Sequence, residues 1–186
     1  MRKLYLFNMM TLDGLFEGPT KWDLSWHIVD AEFNQFAIEQ LDSTGIILFG
    51  RVTYEGMASY WSSENATKDD PIVAGKMNSI PKIVFSKTLA RAEWHNTKLV
   101  KEDAGKEIDN LKRQGGKDIA IFGSASLASG LIKEGLIDEF RIILNPVVLG
   151  KGRPLFGNIE TKTNLRLERM KSFKSGNVLL YYTPAG

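Results

Sequence analysis

The stretch that decides the fold is DIAIFGSASLASGLIKEGLIDEFRIIL, residues 118–144. Its first apolar run, Ile119–Phe122, has the length of a buried strand. Gly123 ends that run, and apolar residues then recur at helical spacing as far as about Glu134. A second apolar run, Phe140–Leu144, follows the helical segment. The stretch therefore predicts a strand, a glycine turn, a helix and a second strand.

The turn between the first strand and the helix has the chemistry of an anion site. Ser124 and Ser126 carry hydroxyls that favour a helix start. Such a turn leaves backbone N–H groups and the positive end of the helix facing one small volume, which suits a phosphate. The turn matches neither GxGxxG nor the GxxxxGK[ST] phosphate loop. On this stretch alone, a purely structural connection is therefore an open alternative.

The composition of the chain bounds its class. The 186 residues predict a single domain spanning residues 1–186, and 43% hydrophobic residues predict a continuous core. The 24 Lys and Arg nearly balance the 22 Asp and Glu, so no nucleic-acid partner is expected. There is no cysteine, and only two histidines are present, which argues against a metal site.

The N-terminal apolar run does not match a targeting segment. It is interrupted by Asn8, and Asp13 follows without a small-residue cleavage site. No stretch approaches the length needed to span a membrane. We therefore expect a soluble cytoplasmic protein with no membrane partner.

The rest of the chain alternates strands and helices. A helix is predicted over Trp26–Leu41, a second from Arg51 and a third ending at Ile108–Arg113, whereas Thr11–Gly18 and Ser62–Asp70 are predicted as loops. Further strands are predicted at Leu4–Met10, Ile46–Phe49, Lys82–Phe85, Lys98–Val100, Leu165–Met170 and Val178–Tyr182. This order predicts an α/β fold with a mostly parallel central sheet, helices on both faces and an antiparallel C-terminal hairpin.

A second strand end carries residues suited to phosphate. Arg51 and Thr53 follow Gly50, where one predicted strand gives way to a helix, and Ser86 ends the next strand. In open α/β sheets, ligands bind outside the carboxyl ends of the strands. A cation and hydroxyls at this edge favour a ligand that carries phosphate. The alternative is a surface ion pair between Arg51 and Glu55.

Three signatures in the right order make the chain resemble the dihydrofolate-reductase-like superfamily. They are LYLFNMMTLDGLFEG (4–18), ILFGRVTYEGM (47–57) and IFGSASLASGLIKEGLIDEFRIILNPVVLGKGRPLF (121–156). More closely, the chain is similar to stand-alone relatives of the reductase domain in the bifunctional riboflavin-biosynthesis deaminase-reductase. This resemblance covers nearly the whole chain. It implies a dihydrofolate-reductase-like fold, NADPH as cofactor and a homodimer.

The resemblance also implies which residues contact the cofactor. Gly50, Arg51, Val52 and Thr53 would approach its phosphates, and Ser86 would lie near the adenosine end. Asn8 and Met9, with the loop at Leu12–Phe16, would border the nicotinamide. The pyrophosphate would be wrapped by Phe122, Gly123, Ser124, Ala125, Ser126 and Leu127.

The substrate side departs from the resemblance. The chain has apolar Ile121 where riboflavin-pathway reductases often carry an acid, and no acid aligns with the one that binds pterin in dihydrofolate reductases. Trp26, Asp30 and Phe33 are the candidate substrate residues, although core packing accounts equally for the two aromatic residues. Trp22 is a further candidate for stacking on a planar ring.

The residues that would supply a proton are also undecided. Asp13 and Asp30 are the candidate catalytic acids, against a turn cap for the first and a solvated helix position for the second. His27 and His95 are expected at the surface.

These observations lead to two functional hypotheses. The first is an NADPH-dependent reductase that transfers hydride to a small heterocyclic substrate, either pterin-like or pyrimidine-like. The second is a nucleotide-binding protein of the same fold without efficient reductase activity, which the absence of an obvious substrate acid favours.

Overall fold

The computed structural model describes all residues of the chain, Met1–Gly186. The strands are β1 (Leu4–Thr11), β2 (Leu15–Glu17), β3 (Thr44–Gly50), β4 (Lys82–Phe85), β5 (Thr97–Val100), β6 (Asp118–Phe122), β7 (Glu139–Asn145), β8 (Arg153–Pro154), β9 (Leu165–Ser172) and β10 (Val178–Pro184). The helices are α1 (Ala31–Ser43), α2 (Arg51–Trp61), α3 (Glu64–Asp69), α4 (Pro71–Ser79), α5 (Ala104–Arg113) and α6 (Ala125–Lys133). None of these helices has the length and hydropathy that a membrane span requires.

Eight strands form one sheet in the order β5-β4-β3-β6-β1-β7-β10-β9. The six strands from β5 to β7 run parallel, and β10 runs antiparallel to both β7 and β9. The short strands β2 and β8 pair separately. The prediction of an α/β fold with a mostly parallel sheet and an antiparallel C-terminal hairpin is confirmed.

Helices cover both faces of the sheet because successive side chains of each strand point to opposite sides. In β1, Leu4 and Leu6 join the core cluster that α5 and α6 cover. Tyr5, between them, joins the cluster beneath α2 and α4. All three side chains are fully buried. A strand buried on both faces is expected to be almost continuously apolar, and in β1 only Asn8 interrupts the apolar run from Leu4 to Met10.

The predicted helix over Trp26–Leu41 is wrong at its start. Residues 26–30 are not helical, and α1 begins at Ala31. Asp30 caps the helix, since its Oδ1 accepts the Phe33 N–H at 2.8 Å. Just before it, Ile28 donates its N–H to the Asn145 side chain and accepts from the Asn177 amide, each at 3.0 Å. A helix that began at Trp26 would use the Ile28 carbonyl internally, and the Asn177 amide takes this carbonyl instead.

Two predicted loops also contain regular structure. Within Ser62–Asp70, α3 forms with Ser63 as its cap, and Asp70 then caps α4. Pro71 occupies the first position of α4, where its missing N–H costs nothing. Within Thr11–Gly18, β2 pairs with β8. Helix α3 was not predicted because its sequence is polar, and β2 was not predicted because it is only three residues long.

The sheet order places two helix starts side by side. Strands β3 and β6 are hydrogen-bonded neighbours with parallel direction, and Leu48 pairs with Ile121 near their ends. Both strands therefore end at the same edge, where β3 leads into α2 and β6 leads through Gly123 and Ser124 into α6. This edge is the one that the sequence predicted for a phosphate site.

Candidate functional site

A cleft opens at the edge where β3 and β6 end. Two of its walls come from consecutive residues at the starts of α2 and α6, and the third comes from β2, β8 and the loop after β2. The lining residues are Gly50, Arg51, Val52, Thr53, Ser124, Ala125, Ser126, Leu127, Phe16, Glu17, Trp22 and Arg153. The structure thus brings together both strand-to-helix turns that the sequence singled out.

The two helices that start at the cleft lack the side-chain caps found on the other four. Gly50 and Ser124 precede α2 and α6, and neither places a side-chain acceptor on the first turn of its own helix. In α1, α3, α4 and α5 an Asp or Ser side chain accepts a backbone N–H of the first turn. The first-turn N–H groups of α2 and α6 therefore remain available to a ligand, and both helix dipoles direct positive charge toward it.

Reciprocal hydrogen bonds hold the two turns together. Ser124 accepts the Gly50 N–H on its Oγ at 3.0 Å, and its own N–H donates to Thr53 Oγ1 at 3.1 Å. Ser124 is buried and adopts left-handed backbone angles, φ 54° and ψ 49°. Gly123 has φ 63°, and a Cβ there would lie 2.9 Å from Thr53 Cγ2. Only glycine lets the turns approach this closely.

The outer wall of the cleft is built around a buried carboxylate. Glu17 is 4% exposed, and its Oε2 accepts from Arg153 Nη1 at 2.6 Å. Its Oε1 accepts the Trp22 N–H, also at 2.6 Å. Arg153 lies over the Phe16 ring, with 5.2 Å between the guanidinium carbon and the ring centroid. The ion pair neutralises Glu17, so this wall does not oppose an anion with a free charge.

Arg51 lines the cleft and pairs with Glu55 on the next turn of α2. The Nη1–Oε1 distance is 3.1 Å, and both side chains are more than two-fifths exposed. An exposed pair of this spacing contributes only about 0.3–0.5 kcal/mol. The guanidinium is therefore free to exchange its partner for a phosphate at small cost.

Several residues expected near the cofactor lie outside the lining. Met9 is buried in the cluster that contains Phe36, on the face of the sheet away from α6. Phe122 is a core residue, and Ser86 accepts backbone N–H groups in the turn after β4. Asn8 contacts the glycine turn, because its Nδ2 donates to the Gly123 carbonyl at 3.3 Å. Their contact with a cofactor stays a prediction.

The two candidate acids are engaged in structural bonds. Asp13 accepts from the Thr11 hydroxyl at 2.6 Å and from the Gly150 N–H at 2.7 Å, which ties the β1–β2 turn to the loop after β7. These donors, the Thr11 hydroxyl first, lower the pKa of Asp13 below its ordinary value. An ionised carboxylate held in this way is a poor proton donor. Asp30 is the α1 cap, rather than a solvated helix position.

The candidate substrate aromatics belong to the core beside α1. Trp26 and Phe33 pack against the cluster that contains Met9, and neither lines the cleft. His27 contradicts the expectation of a surface position, since it is half-buried against the Trp26 ring with a centroid distance of 4.4 Å. Burial lowers the pKa of His27 to about 4. His95 is exposed as expected.

The sequence analysis missed Glu17 and Arg153 as members of the cleft. They are separated by 136 positions, so no local pattern links them. One signal was available, because Arg153 lies within the GKGRPLF turn of the third signature. Gly152 in that turn has φ 156°, and a Cβ on it would clash with the Glu17 carbonyl. This glycine lets β8 approach β2, and thereby places Arg153 beside Glu17.

Comparisons of the sequence with known proteins identify its relatives. The family model for the RibD C-terminal domain matches residues 2–181. The uncharacterized protein YyaP of Bacillus subtilis (strain 168) is 33% identical over 183 residues, which are 97% of this chain and 94% of YyaP.

Solved structures share the fold, which confirms the prediction that it is dihydrofolate-reductase-like. A protein of Shewanella sp. PV-4, named as a candidate riboflavin biosynthesis protein, has a TM-score of 0.75 at 22% identity, with 99% of both chains covered. Dihydrofolate reductase of Enterococcus faecalis, solved with NADP(H), has a TM-score of 0.64 at 15% identity. That match covers 99% of this chain and 97% of the reductase.

Proposed function

This chain belongs to the RibD C-terminal domain family, and we propose that it is an NADPH-dependent reductase of a small heterocyclic, pterin-like or pyrimidine-like compound. Both the family and the fold are reductase-like. The observation that carries the proposal is the convergence of two uncapped helix starts on one cleft. The finer assignments of cofactor and substrate are argued from the cleft residues.

The cleft suits the diphosphate of a dinucleotide. Backbone N–H groups of Val52 and Thr53 on one side, and of Ala125 and Ser126 on the other, lie in the first turns of α2 and α6. Donors of this kind bind phosphate oxygens without a counter-charge from a side chain, and the two dipoles add to their effect. Because the hydroxyls of Thr53 and Ser124 are used between the turns, the backbone groups are the principal donors.

Arg51 supports NADPH over NADH. Its planar guanidinium forms paired, charge-assisted hydrogen bonds to a phosphate, which the 2′-phosphate of NADPH would accept and the free hydroxyl of NADH would not. A pocket for NADH usually presents a free carboxylate to the ribose hydroxyls. The only carboxylate that lines the cleft, Glu17, is already paired with Arg153.

The reduced nicotinamide supplies hydride when it is bound, and the residues of the chain provide position rather than acid chemistry. The ties from Ser124 to Gly50 and Thr53 fix the helix starts relative to each other. No unengaged carboxylate lines the cleft, so we propose that water delivers the proton to the substrate.

One observation favours the second candidate, a nucleotide-binding protein without efficient reduction. Asp13 and Asp30 are both occupied by structural hydrogen bonds, which leaves no evident acid to recognise or protonate a heterocycle. The two candidates share the cofactor site and differ only in turnover.

A binding titration followed by a turnover screen distinguishes the candidates. Calorimetry with NADPH tests the cofactor site, and loss of reduced-nicotinamide absorbance with pterin, pyrimidine and carbonyl acceptors tests the reaction. We expect binding together with turnover of at least one heterocycle. Tight binding with no turnover on any acceptor class would favour the second candidate and overturn the reductase.

A further inference from the structure

Trp22 lies at the mouth of the cleft, where its ring packs against α2 and is partly exposed. It is 37% exposed and lines the cleft. The indole lies across Gly56 of α2, where a Cβ would collide with the ring carbons Cε2, Cζ2 and Cη2. The ring is therefore supported by helix backbone on one side, and the exposed part of the residue is available at the cleft.

This placement uses two residues that folding alone disfavours. Trp22 has φ 65°, a left-handed conformation that is an outlier for a bulky side chain. Gly56 lies inside α2, where glycine is a poor helix former. The two residues are matched to each other. The backbone conformation at Trp22 directs the indole towards α2, and the missing side chain of Gly56 leaves space for it.

The backbone of Trp22 is also held in place. Its N–H donates to the buried Glu17 carboxylate at 2.6 Å, and Glu17 is in turn paired with Arg153 on β8. The loop that carries the indole is thus tied to the small β2–β8 sheet. An aromatic surface fixed in this way keeps its position before a ligand arrives.

We infer that Trp22 is the stacking platform for the planar ring of the nucleotide bound in the cleft. The inference rests on the proposed function, because the ring must be linked through ribose to phosphates held at the starts of α2 and α6. Aromatic rings favour offset stacking on each other, and an indole offers the largest surface for it. The stacked ring belongs to one of the two halves of the cofactor, the purine or the nicotinamide.

Trp22→Gly is the direct test, because glycine adopts φ 65° without strain and removes only the ring. Base stacking on an aromatic side chain predicts an affinity for NADP⁺ that is about 5- to 150-fold weaker by calorimetry, measured at a temperature where circular dichroism shows the variant to be folded. Tyr60→Ala is the matched control. Tyr60 is an aromatic residue of α2 that is 46% exposed and lies outside the cleft, so its loss should leave affinity unchanged.

Gly56→Ala tests the same platform without removing the indole. The new methyl group displaces the ring from its seat, while alanine strengthens the helix. We expect a loss of NADP⁺ affinity comparable to that of Trp22→Gly. An affinity equal to that of the parent in both variants would overturn the assignment, as would an equal loss in Tyr60→Ala.

Half-ligands identify the stacked ring. Adenosine 2′,5′-bisphosphate and nicotinamide mononucleotide are titrated separately into the parent and Trp22→Gly. A loss with either half supports the assignment and names its ring, whereas no loss with either overturns it. A parent that binds none of these nucleotides would instead refute the proposed function, which keeps the two failures distinct.

Discussion

Ser124→Ala is expected to loosen the link between the two helix starts. The substitution removes an Oγ that accepts the Gly50 N–H at 3.0 Å and donates to the Phe122 carbonyl at 3.3 Å. Ser124 is only 5% exposed, so water does not replace the hydroxyl freely. An unpaired buried donor costs about 1–3 kcal/mol. For a chain of this length that loss lowers the melting temperature by about 2 to 12 °C.

Two further variants separate the hydrogen bonds from the backbone strain. Ser124→Gly loses the same bonds but relaxes φ 54°, so it should be more stable than Ser124→Ala by about 1 kcal/mol. Ser126→Ala is the control, because the exposed Ser126 hydroxyl in the first turn of α6 has no hydrogen-bond partner within the protein. Its removal should change the free energy of unfolding by less than about 0.5 kcal/mol.

Urea unfolding of the three variants measures these differences. NADPH affinity, measured in parallel, should fall in Ser124→Ala because the donors of α2 and α6 no longer keep their relative position. The reasoning is refuted if Ser124→Ala and Ser126→Ala are equally stable. A double-mutant cycle with Thr53→Val adds a check, since reciprocal bonds should couple by at least about 0.5 kcal/mol.

Three other outcomes are expected. Arg51→Ala should weaken the affinity for NADPH about tenfold to a hundredfold in calorimetric titrations, because a charge-assisted bond contributes about 1.5–3 kcal/mol. The affinity for NADH should stay nearly unchanged. An equal loss for both cofactors would indicate that Arg51 binds the diphosphate that they share. The free energy of unfolding should fall as the pH drops from about 6.5 to about 4, because His27 binds a proton in the unfolded state but not in the folded state over this range. Urea unfolding as a function of pH should show a weaker dependence in His27→Gln and an unchanged dependence in His95→Gln. Light scattering should give the mass of a homodimer, which a monomer at working concentrations would contradict.

The central parallel strands were predictable because they are buried on both faces. Apolar runs marked β1, β6 and β7, interrupted only by Asn8 in β1 and Arg141 in β7, and the structure places all three in the centre of the sheet. The start of α1 was not predictable from local pattern. Trp26 and Phe33 have helical spacing, yet Asn145 and Asn177 hold the backbone of Ile28 from positions 117 and 149 residues away.

The candidate site likewise has features that the sequence predicts and features that depend on tertiary contacts. The turns at Gly50 and Gly123 could be identified from sequence because strand, glycine and helix are contiguous there. The pairing of Glu17 with Arg153 depends on β2 meeting β8, which is a tertiary contact between short strands. The missing side-chain cap of α6 could not be predicted either. Serine is a common capping residue, but the Ser124 hydroxyl bonds the neighbouring turn at Gly50 instead of its own helix.

The central claim, that the two uncapped helix starts bind the phosphates of NADPH, is tested most directly at Ser126. Ser126 is exposed and lines the cleft in the first turn of α6, whereas Ala125 before it belongs to the buried core. Ser126→Asp therefore places a carboxylate that is compatible with the helix start but repels phosphate. Ser126→Asn, similar in shape and uncharged, is the control. Calorimetry should show NADPH binding by the parent and Ser126→Asn, and a loss of about a hundredfold or more in Ser126→Asp with the urea midpoint maintained. Equal NADPH affinity in Ser126→Asp and Ser126→Asn would contradict the account.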